Sequence, residues 1–403
     1  MPIAVGIAKQ LVYKKEVTFG VAPGATAAQY LRRVTSNIDL KKETYESNEI
    51  RTDYQVSDMR HGVRTVDGSL NGELSVGTYK DFFAAALRKD FLATAAIAGA
   101  SITIAGSAGA WTITRAAGSY LTDGIKIGDV IRLSVGAFNA SNLAKNLLII
   151  ALTATVATCA VLNGSALVGE GPIVTSTVTV IGKKSWTPTT GHTDDSFSIE
   201  HFYSDIAQSE LFLGCKISSV AVKLPATGLS TVDISVMGKD LTTATAAYYT
   251  SPTALSAGAN LAAVNGALYV GGVAVALLTG IDFTIDGGHS AEAVVGSNTK
   301  PEIFEGRVKI NGNMTVFFQD AVFRDYFVNE TEVSVVAAFT GGNTAAADFV
   351  TIVMPRVKVG GSSKDDGEKG IIQTVPFTAL FNTAGGAGTS SHATTLSIQD
   401  SLA

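Results

Sequence analysis

The strongest constraint on this chain is an internal repeat. The hexapeptide Asn71-Gly72-Glu73-Leu74-Ser75-Val76 returns 240 residues later as Asn311-Gly312-Asn313-Met314-Thr315-Val316. Its surroundings recur too. Asn37-Ile38-Asp39-Leu40 upstream matches Gly280-Ile281-Asp282-Phe283, and Tyr79-Lys80-Asp81-Phe82-Phe83 downstream matches Phe323-Arg324-Asp325-Tyr326-Phe327. Asn-Gly is common in turns and strands share a period of two, so a short match can arise by convergence. The agreement in order and spacing favours one unit present twice.

The pattern within each copy is β. Apolar and polar residues alternate through Leu70–Val76 and Val232–Val236, which predicts half-buried strands. One helical signal interrupts them: Tyr79, Phe82, Phe83, Ala86 and Leu87 recur at helical spacing on one face, and Thr78 is placed to cap the start. Further alternating strands follow each helix region, from Ser196 to Met237 and from Glu332 to Phe381. Each run is split by a turn, at Pro225–Gly228 and Gly360–Gly370.

Between the first helix and its next strand lies Ala93–Lys184, rich in Ala, Thr, Val and Gly. Strand signals at Ala110–Thr114, Asp129–Leu133, Leu147–Ile150 and Thr153–Leu162 predict an inserted barrel or sandwich. With a core of its own it reads as a surface decoration that assembly can do without. The expected organisation is therefore a first unit at 1–92 and 185–240, the insertion at 93–184, a linker or crossing segment at 241–279, a second unit at 280–382, and a tail at 383–403. Within the linker, Tyr269–Val273 reads as a hairpin. The Gly/Ser/Thr/Ala-rich tail is expected to be mobile or to order on a neighbour.

Charge and motifs remove several functions. Charged residues make up 16% of the chain against roughly 25% in an average soluble domain, which suits a surface covered by copies of itself. The formal net charge of -5 and the lack of a polybasic run argue against a sequence-reading nucleic-acid binder. Cys159 and Cys215 are too few for a disulfide framework and lack zinc-site spacing, so both read as buried apolar residues. The five histidines show no metal-ligand spacing and read as surface residues. Asp194-Asp195 and Asp365-Asp366 lack the pattern of a calcium loop and read as turn residues. Gly385–Ser390 lacks the lysine of a phosphate-binding loop, and no Gly-x-Ser-x-Gly elbow is present. No catalytic, cofactor or metal site is expected, and neither a secretory signal nor a membrane span.

The early strand Tyr13–Gly20, the Pro23-Gly24 turn, Leu31–Val34, the polar stretch Lys41–Val66, the strand Gly68–Leu74 and the helix Tyr79–Phe83 together resemble the major tail tube proteins of siphophages. The likeness runs on through Phe381 once the insertion is skipped. It implies a mainly β chain of two tandem tube-fold units, each a β-sandwich with a flanking helix. In that family subunits form rings whose inner strands make a β-barrel channel, and rings stack into the tail tube through which DNA is ejected. Most members use six single-unit subunits, so a two-unit chain implies a ring of three copies with pseudo-sixfold symmetry.

The resemblance further implies a virion protein made in the host cytoplasm, with tape-measure, tail-terminator and tail-tip proteins as partners and non-specific passage of DNA. The long segments Lys41–Val66 and Thr284–Glu305 look like the family's stacking loop. In the first, Glu43, Glu46, Glu49, Arg51, Asp53, Asp58, Arg60 and Arg64 are the candidate contacts between rings. A net acidic subunit fits a channel that repels phosphate. The alternative reading is a β-rich adhesive or carbohydrate-binding virion protein, whose exposed aromatic platforms would have to come from Trp111 and Trp186.

Overall fold

A computed structural model describes residues 3–107 and 109–403. The chain is mainly β, as expected, with α-helices only at α1 (Lys80–Leu87) and α2 (Val322–Val328) among the described residues. Six strands pair in the order Lys9–Lys15, Phe197–Tyr203, Gln208–Pro225, Thr231–Gly238, Met59–Glu73 and Asp39–Glu46, all antiparallel. Six others pair in the matching order Gly266–Val270, Glu332–Thr340, Phe349–Val359, Ile372–Ala379, Lys309–Phe317 and Leu278–Asp286. The two orders coincide strand for strand, and each helix follows the strand that carries its Asn-Gly.

The repeated Asn-Gly pairs lie in mid-strand, not in turns. Asn71 faces Asp233 and Asn311 faces Thr378. Both glycines are dictated by close approach: a Cβ on Gly72 would sit 1.9 Å from the Tyr79 hydroxyl, and one on Gly312 would sit 2.5 Å from the Phe377 ring. The upstream match is looser. Asp39 stands opposite Asp67, before the repeated pair, whereas Asp282 stands opposite Asn313, after it. Those two tetrapeptides therefore occupy different heights in their sheets.

Alternation decides what is buried. Val220, Val222, Leu224, Val232, Ile234, Ile281, Phe283 and Ile285 enter one continuous core while their neighbours face outward. Helix α1 closes that core, with Phe82 and Leu87 at 0% exposure and Phe82 against Tyr13 and Phe197. Thr78 does not cap it. The N-cap is Tyr79, and the Thr78 hydroxyl instead accepts from Ser75 at 2.7 Å.

The insertion is a closed six-stranded barrel of Ile97–Ser107, Ala110–Arg115, Val130–Ser134, Leu147–Leu152, Val156–Val161 and Glu170–Val180. Its entry and exit meet where Leu92 and Lys184 exchange backbone hydrogen bonds at 2.8 and 2.9 Å. Ile102, Ile113, Ile131 and Leu147 fill its interior. Its outer face is not free, because Val130 and Leu148 form a second buried cluster with Val336, Ala338, Phe349 and Val353. The Gln399 side chain crosses the same contact, accepting from the Val130 amide at 2.8 Å and donating to the Ile181 carbonyl at 2.6 Å. The insertion is thus anchored to the body of the chain, more than a decoration hung on its surface.

The segment 241–279 contains the Gly266–Val270 strand and its hairpin to Val273–Ala274. Gly271 and Gly272 both have positive φ there, at 59° and 80°, as a two-residue hairpin turn of this hand requires. The tail at 383–403 is neither free nor waiting for a neighbour. Its strand Ser397–Asp400 lies between Phe349–Val359 and Lys183–Trp186, and so ties the insertion's exit to the second set of strands.

Candidate functional site

Two features of this fold are unusual for an isolated subunit: a seam between the two strand sets, and a long exposed ribbon. At the seam, Ser219–Lys223 pairs on one edge with Ser235–Thr231 of its own set. On the other edge Ser219–Pro225 pairs with Asp286–Gly280 of the second set. The two sets therefore form one continuous sheet. A row read across it runs Thr35, Asn71, Asp233, Ala221, and past the seam begins again with Thr284, Asn311, Thr378, Lys358.

The face of this sheet turned away from the core is polar and half-exposed. It carries Asp39, Asp67, Glu73, Asp233, Asp282 and Asp286 against Lys41, Lys223, Lys309 and Lys358, with Ser, Thr and Asn between them. Among the described residues none of those six carboxylates is in an ion pair. Asp282 accepts from the Asn313 amide at 3.3 Å and Asn311 accepts from Thr378 at 2.9 Å. The result is a mixed polar face with a modest excess of carboxylates, which favours weak rather than tight contact with a polyanion. Sequence reasoning anticipated an acidic balance but not these positions. The signal was present in the alternation, since each of these residues sits one place from a core residue.

The ribbon is the hairpin of Asp39–Glu46 with Met59–Glu73, joined by 47–58. All eight candidate contacts lie on it. Arg51 and Asp53 pair at 2.7 Å and Arg60 and Asp58 at 2.8 Å, both locally and in solvent. The Arg51 guanidinium holds the Asp53 carboxyl below its ordinary pKa. Glu43 accepts from the Tyr45 hydroxyl, Glu49 accepts from Ser57 at 3.1 Å, and Glu46 lies opposite Met59. Arg64 stands apart at the ribbon's base, bound to Asp240 at 2.9 Å and across from Lys42. The tip also exposes Ile50, Tyr54 and Val56 at 102%, 98% and 67%. Ion pairs this exposed are weakened by solvent and salt.

The second long segment behaves differently. It folds back on its own chain, where Glu302 meets Lys216 and Glu305 meets Arg88, each at 3.0 Å, and the Asn298 carbonyl takes the Arg64 amide at 2.9 Å. The end of this segment is thus tied to its own chain, while 292–298 stay exposed, with Val295 at 107%.

The histidines are not all on the surface. His61 and His192 are exposed, but His201 is 1% exposed and bonds Ser36 Oγ at 2.7 Å. Burial, with Lys9 and Arg33 nearby, pushes its pKa down to about 3. His392 stacks on Trp186 at 4.2 Å and is lowered to about 2, mainly by burial. His289 is partly buried and lowered for the same reason. Asp194 and Asp195 bind Lys216 and Lys15 at 2.6 and 2.7 Å. Both cysteines are free and buried. Among the described residues no group of three or more His, Cys, Asp or Glu is placed to hold a metal, and no helix is long and apolar enough to cross a membrane.

No curated protein matches the chain. A family model described as phage tail tube protein matches residues 6–379, nearly the whole length. On that match the chain belongs to the phage tail tube protein family.

Proposed function

We propose that this chain self-assembles into rings that stack into the tail tube, and that DNA passes through the channel. Three copies make a ring, because each chain supplies two tube-fold units, in the segments 1–92 with 185–240 and 280–382. The single observation that carries this reading is the seam. Pairing of Ser219–Pro225 with Gly280–Asp286 joins unit to unit within a chain. The same kind of edge is left unpaired at both ends of the sheet, on Val34–Glu46 and on the run from Val359 to Lys364, each of which has a partner on one side only. Joining those edges between chains repeats the internal seam and removes the exposed edges that would otherwise template aggregation.

In this arrangement the polar face lines the channel and lets DNA slide without being held. The ribbon reaches the adjacent ring, with Glu43, Glu46, Glu49, Arg51, Asp53, Asp58, Arg60 and Arg64 as its contacts and repetition round the ring supplying the strength. The protein acts without catalysis or cofactor. It is made in the host cytoplasm and meets tape-measure, terminator and tip proteins during tail assembly. An adhesive role has less support, since Trp111 is 7% exposed and Trp186 lies between His392 and Lys89, so neither offers an open platform.

Negative-stain electron microscopy of the purified protein tests the proposal. Hollow tubes with threefold rings are expected. Sixfold rings of six chains would keep the tube and remove the two-unit argument, and persistent monomers would overturn both.

A further inference from the structure

The matching strand orders extend to what precedes them. A short 3-10 turn, Gly6–Ala8, leads into the strand Lys9–Lys15, and another, Ala263–Asn265, leads into Gly266–Val270. The two strands are anchored alike: Leu31 donates its amide to the Leu11 carbonyl at 3.0 Å, and Val275 donates to Leu268 at 2.9 Å. Residues Ile3–Ala8 therefore correspond to Asn260–Asn265.

The fates of the two segments differ. Within the chain, the crossing segment lies against the first set of strands. Leu261 donates to the Leu74 carbonyl at 2.9 Å, accepts from the Ser230 amide at 2.9 Å and is 0% exposed, while Ala259 accepts from the Val76 amide at 3.2 Å. Its counterpart Ile3–Ala8 covers nothing comparable: Ile3, Val5 and Ile7 are 88%, 55% and 97% exposed. Beside α2, the second set correspondingly has a groove of about 330 Å³ lined by Val273, Val275, Leu277, Phe317, Val322 and Phe323. Phe317 and Val322 are 42% and 41% exposed there, whereas every residue of α1 from Phe82 to Leu87 is buried.

We propose that Ile3–Ala8 of one copy lies in this groove of the neighbouring copy, doing between chains what Asn260–Asn265 does within one. The proposal rests on the ring reading and names a contact of it. The chemistry of the two sides agrees. The arm has no charged side chain, and Asp320 is the only charged residue on the groove. The mode differs from the internal one in one respect. Pairing of the second set runs on to Phe317 opposite Ile372, so the backbone slot used by Leu261 is already filled. The arm is held by burial of its side chains and not by extending the sheet.

The test uses the full chain. Ile3→Asp with Ile7→Asp, at 88% and 97% exposure, leaves the melting temperature unchanged and raises the protein concentration needed for ring or tube formation by about tenfold or more. A separate variant, Val5→Cys with Val322→Cys, gives disulfide-linked chains on mild oxidation of assembled material, the native cysteines being buried. Equal assembly by the Asp variant and no cross-link, with wild type forming rings, overturns the arm contact and leaves the ring reading intact. A lowered melting temperature of the Asp variant assigns the arm to its own chain and overturns the contact too. Failure of wild type to form rings overturns both.

Discussion

Excising Ala93–Lys184 separates two views of the insertion. Its ends are in backbone contact, so a direct join introduces no long loop. If the barrel were an ornament, the remainder would lose nothing. The structure argues for a loss, because the excision uncovers Val336, Ala338, Phe349 and Val353, now between 0% and 7% exposed. Returning a buried Val or Phe to water costs about 1.5–3 kcal/mol. With partial relaxation the excision costs on the order of 5 kcal/mol, a large share of the roughly 5–15 kcal/mol that holds a typical domain folded. Gln399 also loses its bonds to Val130 and Ile181, though in the excised chain solvent replaces them. The assay is equilibrium urea unfolding of intact and excised chains under conditions that keep both monomeric. A midpoint shift to much lower urea is expected. An unshifted midpoint would refute the shared-core argument and return the insertion to the status of a decoration.

Three further outcomes are expected. Replacing 44–61 of the ribbon by Asn-Gly, which keeps the pairs at its base, leaves folding and rings intact but abolishes stacking into tubes; normal tubes by microscopy would remove the ribbon from the inter-ring contact. Cysteines at Val34 and Val359, the positions that correspond to Phe283 and Val222 in the internal seam, cross-link chain to chain on oxidation, and a failure to do so in formed rings would exclude this edge pairing. His201 has a folded pKa depressed to about 3 from an ordinary 6.5, so its contribution is present above pH 6.5 and is lost as pH falls towards 3. On this basis wild type loses up to about 3 kcal/mol more than His201→Gln between pH 7 and pH 4, as measured by urea unfolding at each pH; parallel losses would show that His201 charges freely.

Much of the architecture was legible because strand and helix periodicities are local. The repeated hexapeptide marked the corresponding strands, and Tyr79–Leu87 marked α1, since an aromatic face at helical spacing needs a core to enter. What misled was also local. Thr78 has the right chemistry to cap, but the chain bends so that its hydroxyl meets Ser75. The histidines looked like surface residues because sequence carries no information about burial of a polar ring whose partner, Ser36 for His201, lies 165 positions away.

The sequence by itself determined the β class and marked the strand and helix that recur, because each rests on residue type and interval along one strand or helix. Only the tertiary structure decided the seam, the polar face and the fate of the long segments. Strand alternation says that Asp233 and Asp282 oppose the core, but their convergence on one face depends on which edges meet, and that is set by packing between segments far apart in the chain. The same holds for Glu302 and Glu305. Their charge suited a loop reaching another molecule equally well, and the positions of Lys216 and Arg88 in the folded chain direct them inward.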